Sequence, residues 1–350
     1  QPDSPIYCAN SGTTARLLMG ILAPWDIEVE ITGDESLSRR PMRRITAPLM
    51  KMGVSFDPAG AETLPIVERG TRDLRAISYD SPMASAQLKT AVLLAGVYAN
   101  GTTTVNEPST SRNHTELMLP EFGVETTASE LSASVSGPAA LKSCEVVVPG
   151  DPSSAAFLIC AALLKKGSAI QIENVSLNTA RTGFFRTLER MGADIEVHRT
   201  GSSGKEPFGV MSACYSGKLR GCEVPGSKIA SLVDEVPVLA LVAAFARGVT
   251  VFRDAGELRA KETDRLTAVR NGLAQLGVDS WIEGDDLFVE GNPDLEIPDG
   301  IVFDSLGDHR LAMTWSLVGL TGEKPVGIKN FSCVDVSYPD FLKDIERLVR

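Results

Sequence analysis

Histidine is scarce in this chain: His114, His198 and His309 are the only three in 350 residues. None lies in an HExxH pattern or beside a cysteine cluster, which argues against a zinc site. The six cysteines (Cys8, Cys144, Cys160, Cys214, Cys222 and Cys333) are scattered, and no CxxC pair occurs among them. They are expected to be free thiols in a reducing, cytoplasmic setting. Long apolar runs are missing. The longest, 236–246 and 155–164, are too short to cross a bilayer and are flanked by charge or glycine, so they read as buried helices rather than membrane spans. A basic excess is missing as well. The net charge of −11 argues against a nucleic-acid partner, since binding a phosphate backbone requires a basic face. It leaves room for a small anionic ligand, because a local arginine cluster can dominate the potential of a cleft. What remains is the balance of a globular protein, 43% hydrophobic and 23% charged, long enough for about two domains.

The chain is rich in repetition. A helix-like segment closed by Gly-Val or Gly-Ala ends at Gly53 (LMKMGV), Gly123 (LPEFGV), Gly192 (LERMGA) and Gly277 (LAQLGV). The intervals are about 70 to 85 residues, a period that signals a fold built from repeats. A polar turn followed by a small-residue helix keeps step with it: NSGTTARLLMGILA from Asn10, SAQLKTAVLLAG from Ser85, DPSSAAFLICAALLKKG from Asp151, DEVPVLALVAAFARG from Asp234 and GDHRLAMTWSLVGLTG from Gly307. Helices this poor in charge have nowhere to go but between sheets. The expected architecture is therefore α/β, in repeated βαβαββ-like units with inward helices and outer sheets. A boundary is expected where Pro149-Gly150 breaks the run, giving domains 1–148 and 149–350. Within one unit, 101–109 is expected as a strand, 111–124 as a helix closed by Gly123, 125–137 as paired exposed strands and 144–154 as a buried strand ending in a Pro-Gly turn.

Charged residues recur at equivalent points of the repeat: Arg39-Arg40, Ser111-Arg112, Lys261-Glu262-Thr263-Asp264-Arg265 and Asp308-His309-Arg310. On a continuous helix Lys261 and Arg265 would share a face. Each charge alone reads as a solvated helix face. Together, at the mouths of equivalent helices where backbone N–H groups bind anions, they suggest a ligand with more than one anionic group. Asp234 lies within an apolar stretch. It reads either as the N-cap of the following helix or as a general base. Glu262 reads either as half of an intrahelical ion pair or as a second acid/base group.

NSGTTARLL from Asn10, SLSRRPM from Ser36, SAQLK from Ser85, SRNHTE from Ser111, LVDEVPVLA from Leu232, LRAKETDRL from Leu258 and GDHRLAM from Gly307 together resemble the 5-enolpyruvylshikimate-3-phosphate synthase family over essentially the whole chain. The resemblance implies a two-domain inside-out α/β barrel of enolpyruvyl transferase type. It implies transfer of the enolpyruvyl group of phosphoenolpyruvate to the 5-hydroxyl of shikimate 3-phosphate, with no metal or organic cofactor, by a cytoplasmic monomer. By motif, Asp234 would be the base and Glu262 the proton relay. Gly12, Arg40, Gln87, Arg265 and Arg310 would contact phosphoenolpyruvate. Ser85, Ala86, Gln87, Ser111, Asp234 and Lys261 would contact shikimate 3-phosphate. LVDEVPVLA and LRAKETDRL look more like the glyphosate-insensitive bacterial class, although Gly12 stands where that class carries Ala. Many relatives place a phosphoenolpyruvate-binding Lys in the stretch that reads Asn330-Phe331-Ser332-Cys333 here. Five of the family's six repeats are visible, the N-terminal one being absent, so weak or no activity is expected of this chain by itself. The alternatives are a non-catalytic binding remnant of the fold and a UDP-N-acetylglucosamine enolpyruvyl transferase. The latter would be expected to carry a reactive cysteine in a Gly-rich loop.

Overall fold

The computed structural model describes residues 2–60, 62–322 and 324–349. The chain divides into two compact units, one ending at Val146 and the other starting at Val147. Each has its own apolar core.

The repeat seen in the sequence is a repeat of structure. In the first sheet the spatial order is Ile6–Tyr7, Glu28–Thr32, Ile66–Arg69, Ser55–Asp57. The first pair is parallel and the rest antiparallel. The same order recurs in Ser78–Asp80, Gly101–Asn106, Ser132–Gly137, Thr126–Ala128, and again in Glu223–Val224, Gly248–Phe252, Asp286–Gly291, Ser280–Glu283. A further sheet pairs Ala169–Ser176, Glu206–Cys214 and Asp194–Ser203, with Gly150 bridging Val175 in parallel at its edge. Val302–Asp304 and Gly327–Lys329 repeat the parallel pair alone. Each parallel pair brackets one small-residue helix: Gly12–Leu22, Ala86–Gly96, Pro152–Leu164, Val236–Ala244 and His309–Ser316.

Close packing accounts for the small residues, all round in Val236–Ala244 and on one side of Gly12–Leu22, where Thr13, Thr14 and Ile21 stay exposed. All of Val236–Ala244 is buried. In the unit ending at Val146, helices Gly12–Leu22 and Ala86–Gly96 meet so closely that a Cβ on Gly20 would lie 2.2 Å from the carbonyl oxygen of Ala91. The closing glycines of the other helix set are explained as well. Gly53, Gly192 and Gly277 have φ of +112°, +81° and +75°, the left-handed stop that reverses the chain after a helix and favours glycine; Gly123 has φ +80° but lies in a turn beyond its helix.

Two local expectations are corrected. Residues 111–124 form a helix only at His114–Met118, because Pro120 removes a donor and the rest is turn. The run Cys144–Val148 is no buried strand. It is exposed, with Val148 at 80%, and in no described strand, since the boundary between the two units falls within it. Its β-branched residues gave it the look of a strand.

One core residue is out of character. Glu68, on the strand Ile66–Arg69, faces inward with Ile66 and is 1% exposed. Neither carboxylate oxygen finds a hydrogen-bond partner among the described residues. Burial pushes its carboxyl up to about 9. The folded state therefore binds a proton that the unfolded chain releases near its ordinary value of 4.5, and stability falls as pH rises from there toward 9. By pH 7 the loss amounts to about 3 kcal/mol. Glu68→Leu should raise stability at pH 7 by that order and erase this part of the pH slope. Urea unfolding of both proteins between pH 5 and 9 checks it. Parallel curves for the two would show that Glu68 is not buried as a neutral acid.

Candidate functional site

The sequence-assigned residues fall into two groups, one in each unit. Gly12, Arg40, Ser85, Ala86, Gln87 and Ser111 lie in the first, and Asp234, Lys261, Glu262, Arg265 and Arg310 in the second.

In the first unit, Ser11 caps the helix Gly12–Leu22 by accepting from Thr14 N at 3.1 Å. Gly12 is the first residue of that helix. A Cβ there would sit 3.0 Å from Arg16 Nη1 and 3.6 Å from Arg40 Nη1, so its missing side chain leaves space for two guanidinium groups at the helix mouth. Gln87 ties three segments together. Its Oε1 accepts from Arg16 Nη1 at 2.7 Å and Arg44 Nη2 at 3.4 Å, and its Nε2 donates to Thr13 Oγ1 at 2.8 Å. Arg16 is 4% exposed. Burial, then the charges of Arg44 and Arg40, lowers its pKa to about 9. Guanidinium groups that press on one another this way form a setting that an anion relieves. Two residues along from Gln87, Ser85 caps the helix Ala86–Gly96, its hydroxyl accepting from Leu88 N at 3.4 Å.

In the second unit the centre is Arg265, the first residue of the helix Arg265–Gln275, 1% exposed. Its Nε and Nη2 grip Asp308 at 2.7 and 3.3 Å, Nη2 also donates to Glu262 Oε2 at 2.5 Å, and Nη1 donates to Asp234 Oδ1 at 3.2 Å. Burial works to lower the Arg265 pKa, and the carboxylates of Asp308, Glu262 and Asp234 outweigh it, so the net direction is upward. Asp234 gathers two more cations, Lys261 Nζ at 3.9 Å from Oδ1 and Arg310 Nη2 at 3.9 Å from Oδ2. Arg310 also approaches the Asp234 carbonyl at 3.5 Å and Glu235 Oε1 at 3.6 Å. Asp308 is fully buried and serves twice, since its Oδ1 caps its own helix through Arg310 N at 2.9 Å. Burial lowers the His309 pKa, and the neighbouring Arg310 charge adds to this, favouring the neutral ring. Among the described residues, no group of three or more His, Cys, Asp and Glu is disposed to hold a metal.

Several readings are settled by this geometry. Asp234 is not an N-cap: the helix Val236–Ala244 starts after Glu235 with no side-chain cap. Lys261 and Arg265 do not share a helical face. Lys261 is extended, after the 3-10 turn Ala255–Ala260 and before the cap residue Asp264. They meet through Asp234 instead. Sequence reasoning passed over Arg16, Arg44 and Glu235, and it placed Asp308 among the charged helix mouths without giving it a role. Arg16 follows Gly12 by one helical turn in the NSGTTAR motif, a spacing that could have found it. Burial is what distinguishes Asp308, and nothing in the local sequence carries that.

The sequence profile of EPSP synthase (3-phosphoshikimate 1-carboxyvinyltransferase) matches residues 1–345. A 3-phosphoshikimate 1-carboxyvinyltransferase of Bacillus pumilus is 43% identical over all of this chain and 81% of its own length. One from Bacillus subtilis is 42% identical over 99% of this chain and 81% of its own. Among solved structures, EPSP synthase from Acinetobacter baumannii superposes with a TM-score of 0.88 at 38% identity, covering 99% of this chain and 79% of that one. The enolpyruvyl transferase NikO from Streptomyces tendae shares the fold, with a TM-score of 0.74 at 21% identity over 95% of this chain and 75% of that one.

Proposed function

This chain belongs to the EPSP synthase (3-phosphoshikimate 1-carboxyvinyltransferase) family, and from that membership we infer that it transfers the enolpyruvyl group of phosphoenolpyruvate to the 5-hydroxyl of shikimate 3-phosphate, releasing phosphate on the way to aromatic amino acids. The observation that carries the residue assignment is Asp234, a carboxylate with three cations, Arg265, Lys261 and Arg310, within 3.9 Å. Such surroundings favour its charged form, which is the form able to accept a proton from a hydroxyl.

In this scheme Asp234 takes the 5-hydroxyl proton as the oxygen bonds to the central carbon of phosphoenolpyruvate. Glu262, a carboxylate held against Arg265, takes up a proton from solvent and relays it to the methylene carbon. The tetrahedral adduct then returns a proton from the new methyl group to the Glu262 carboxylate, the carbon–oxygen bond to phosphate breaks, and phosphate leaves. Arg40, Gln87, Arg265 and Arg310, with Gly12 giving access at the helix mouth, bind phosphoenolpyruvate. Ser85, Ala86, Gln87, Ser111 and Lys261 bind shikimate 3-phosphate. Asp234 and Glu262 hold Arg265 in the arrangement described. A proton arriving on Asp234 weakens its hold on Arg265 Nη1 and turns that donor toward the anionic adduct. Preorganised donors of this kind are worth more as charge develops than in the ground state. The six thiols, free among the described residues, suit a reducing compartment, and we place a monomeric enzyme in the cytoplasm.

Shikimate 3-phosphate should stabilise the chain against heat by about 3 kcal/mol at a hundredfold excess over its Kd, and UDP-N-acetylglucosamine should leave the melting temperature unchanged. A shift with the nucleotide sugar and none with shikimate 3-phosphate would assign the chain to the other acceptor.

A further inference from the structure

A buried charged cluster lies behind Ser85 and Ser111 and is absent from the assignments above. Glu107, directly after the strand Gly101–Asn106, is 6% exposed. Its Oε1 accepts from the backbone N–H of Ser85 at 2.9 Å. Its Oε2 accepts from the Ser111 hydroxyl at 2.9 Å and from Lys89 Nζ at 2.8 Å. Lys89 Nζ also pairs with Glu116 Oε1 at 2.8 Å. The Lys89, Glu107 and Glu116 side chains are 5%, 3% and 6% exposed. Three charges buried together carry a large desolvation penalty, and apolar residues would fill the same space. What apolar residues would not do is fix Ser85, the cap of one helix, and Ser111, on a separate loop, to one rigid carboxylate.

The geometry points to Glu107 as the positioning residue of the shikimate 3-phosphate pocket. It sets the spacing of the two serines while touching no ligand itself, and Lys89, shared with Glu116, offsets part of the negative charge behind them. This rests on Ser85 and Ser111 being ligand contacts, as assigned under Proposed function. A charged hydrogen-bond acceptor of this kind governs ligand geometry through its neighbours, and its loss leaves the serines free to drift.

The test is calorimetric titration of the 350-residue chain with shikimate 3-phosphate. Glu107→Gln, which keeps the shape but turns one acceptor oxygen into a donor, so that Ser85 N–H or the Ser111 and Lys89 pair loses its acceptor, should bind about tenfold more weakly. Ser111→Ala should weaken binding by a similar factor, and the double variant by much less than the product of the two, because Glu107 acts through Ser111. Glu107→Asp keeps the charge beside Lys89 but is one carbon short of the serines. It should show the same loss, and it provides the reading if Glu107→Gln does not fold. Either folded variant binding within twofold of wild type, or fully multiplicative losses in the double variant, would overturn the role of Glu107. A wild-type chain that does not bind shikimate 3-phosphate at all would instead refute the pocket assignment.

Discussion

Asp234→Asn is expected to lower kcat by about a thousandfold and to leave shikimate 3-phosphate binding intact. The substitution preserves the size of the side chain and an oxygen that can still accept from Arg265, now at 3.2 Å, but an amide cannot take a proton at neutral pH. The binding side of the expectation follows from local charge. Lys261, Arg265 and Arg310 all approach Asp234 within 3.9 Å. Removing one negative charge from their midst leaves the site more positive, which favours anionic ligands. KM for phosphoenolpyruvate should therefore hold or fall while turnover collapses. Steady-state kinetics on the two proteins separates this from a binding role, in which KM would rise and kcat would survive.

Arg265→Met should be the most destructive change to the fold of the second unit. It leaves Asp308, which is fully buried, without its ion-pair partner, and Asp234 and Glu262 each lose one as well. Stranding a buried charge in this way costs about 3–5 kcal/mol. Arg265→Lys keeps a positive charge but replaces a planar fork with a point donor that cannot reach three carboxylates at these angles. It should recover much of the stability lost by Met while still binding phosphoenolpyruvate at least tenfold more weakly, since about 1.4 kcal/mol per tenfold is less than one charged hydrogen bond is worth. Chemical denaturation and KM measured on both variants check the split. Equal stability of Met and wild type would mean that Arg265 does not organise these carboxylates.

Much of this was legible in the sequence because the repeat writes itself in residues with strict backbone demands. Gly53, Gly192 and Gly277 announced helix ends, and all three have positive φ; Gly123 shares the conformation but closes a turn beyond the short helix His114–Met118. The small-residue helices announced burial, as Val236–Ala244 shows. The charged residues at the helix mouths were legible as a set, and the second unit does gather Asp234, Lys261, Glu262, Arg265 and Arg310 around one guanidinium. Local pattern failed where tertiary placement decides. The valines of 146–148 have strand propensity but lie where the boundary between the two units falls, in no described strand. Lys261 and Arg265 have helical spacing, but the helix starts only at Arg265. Glu107 and Lys89 are ordinary charges in sequence, and only their burial against each other and against the backbone of Ser85 gives them meaning. Glu68 is hidden for the same reason: alternation along Ile66–Arg69 sets its side chain in the core, and only the folded unit reveals that its carboxylate has no hydrogen-bond partner among the described residues.

The most direct measurement is 31P NMR of phosphoenolpyruvate and shikimate 3-phosphate incubated with the wild-type sequence and with Asp234→Asn, each carried in a chain that also has the family's N-terminal repeat. With wild type, the phosphoenolpyruvate resonance should give way to inorganic phosphate, only when shikimate 3-phosphate is present, while the acceptor's phosphate signal moves to that of its enol ether. With Asp234→Asn both starting resonances should persist. Release of phosphate at similar rates by the two proteins would remove Asp234 from the chemistry and with it the mechanism built around Arg265.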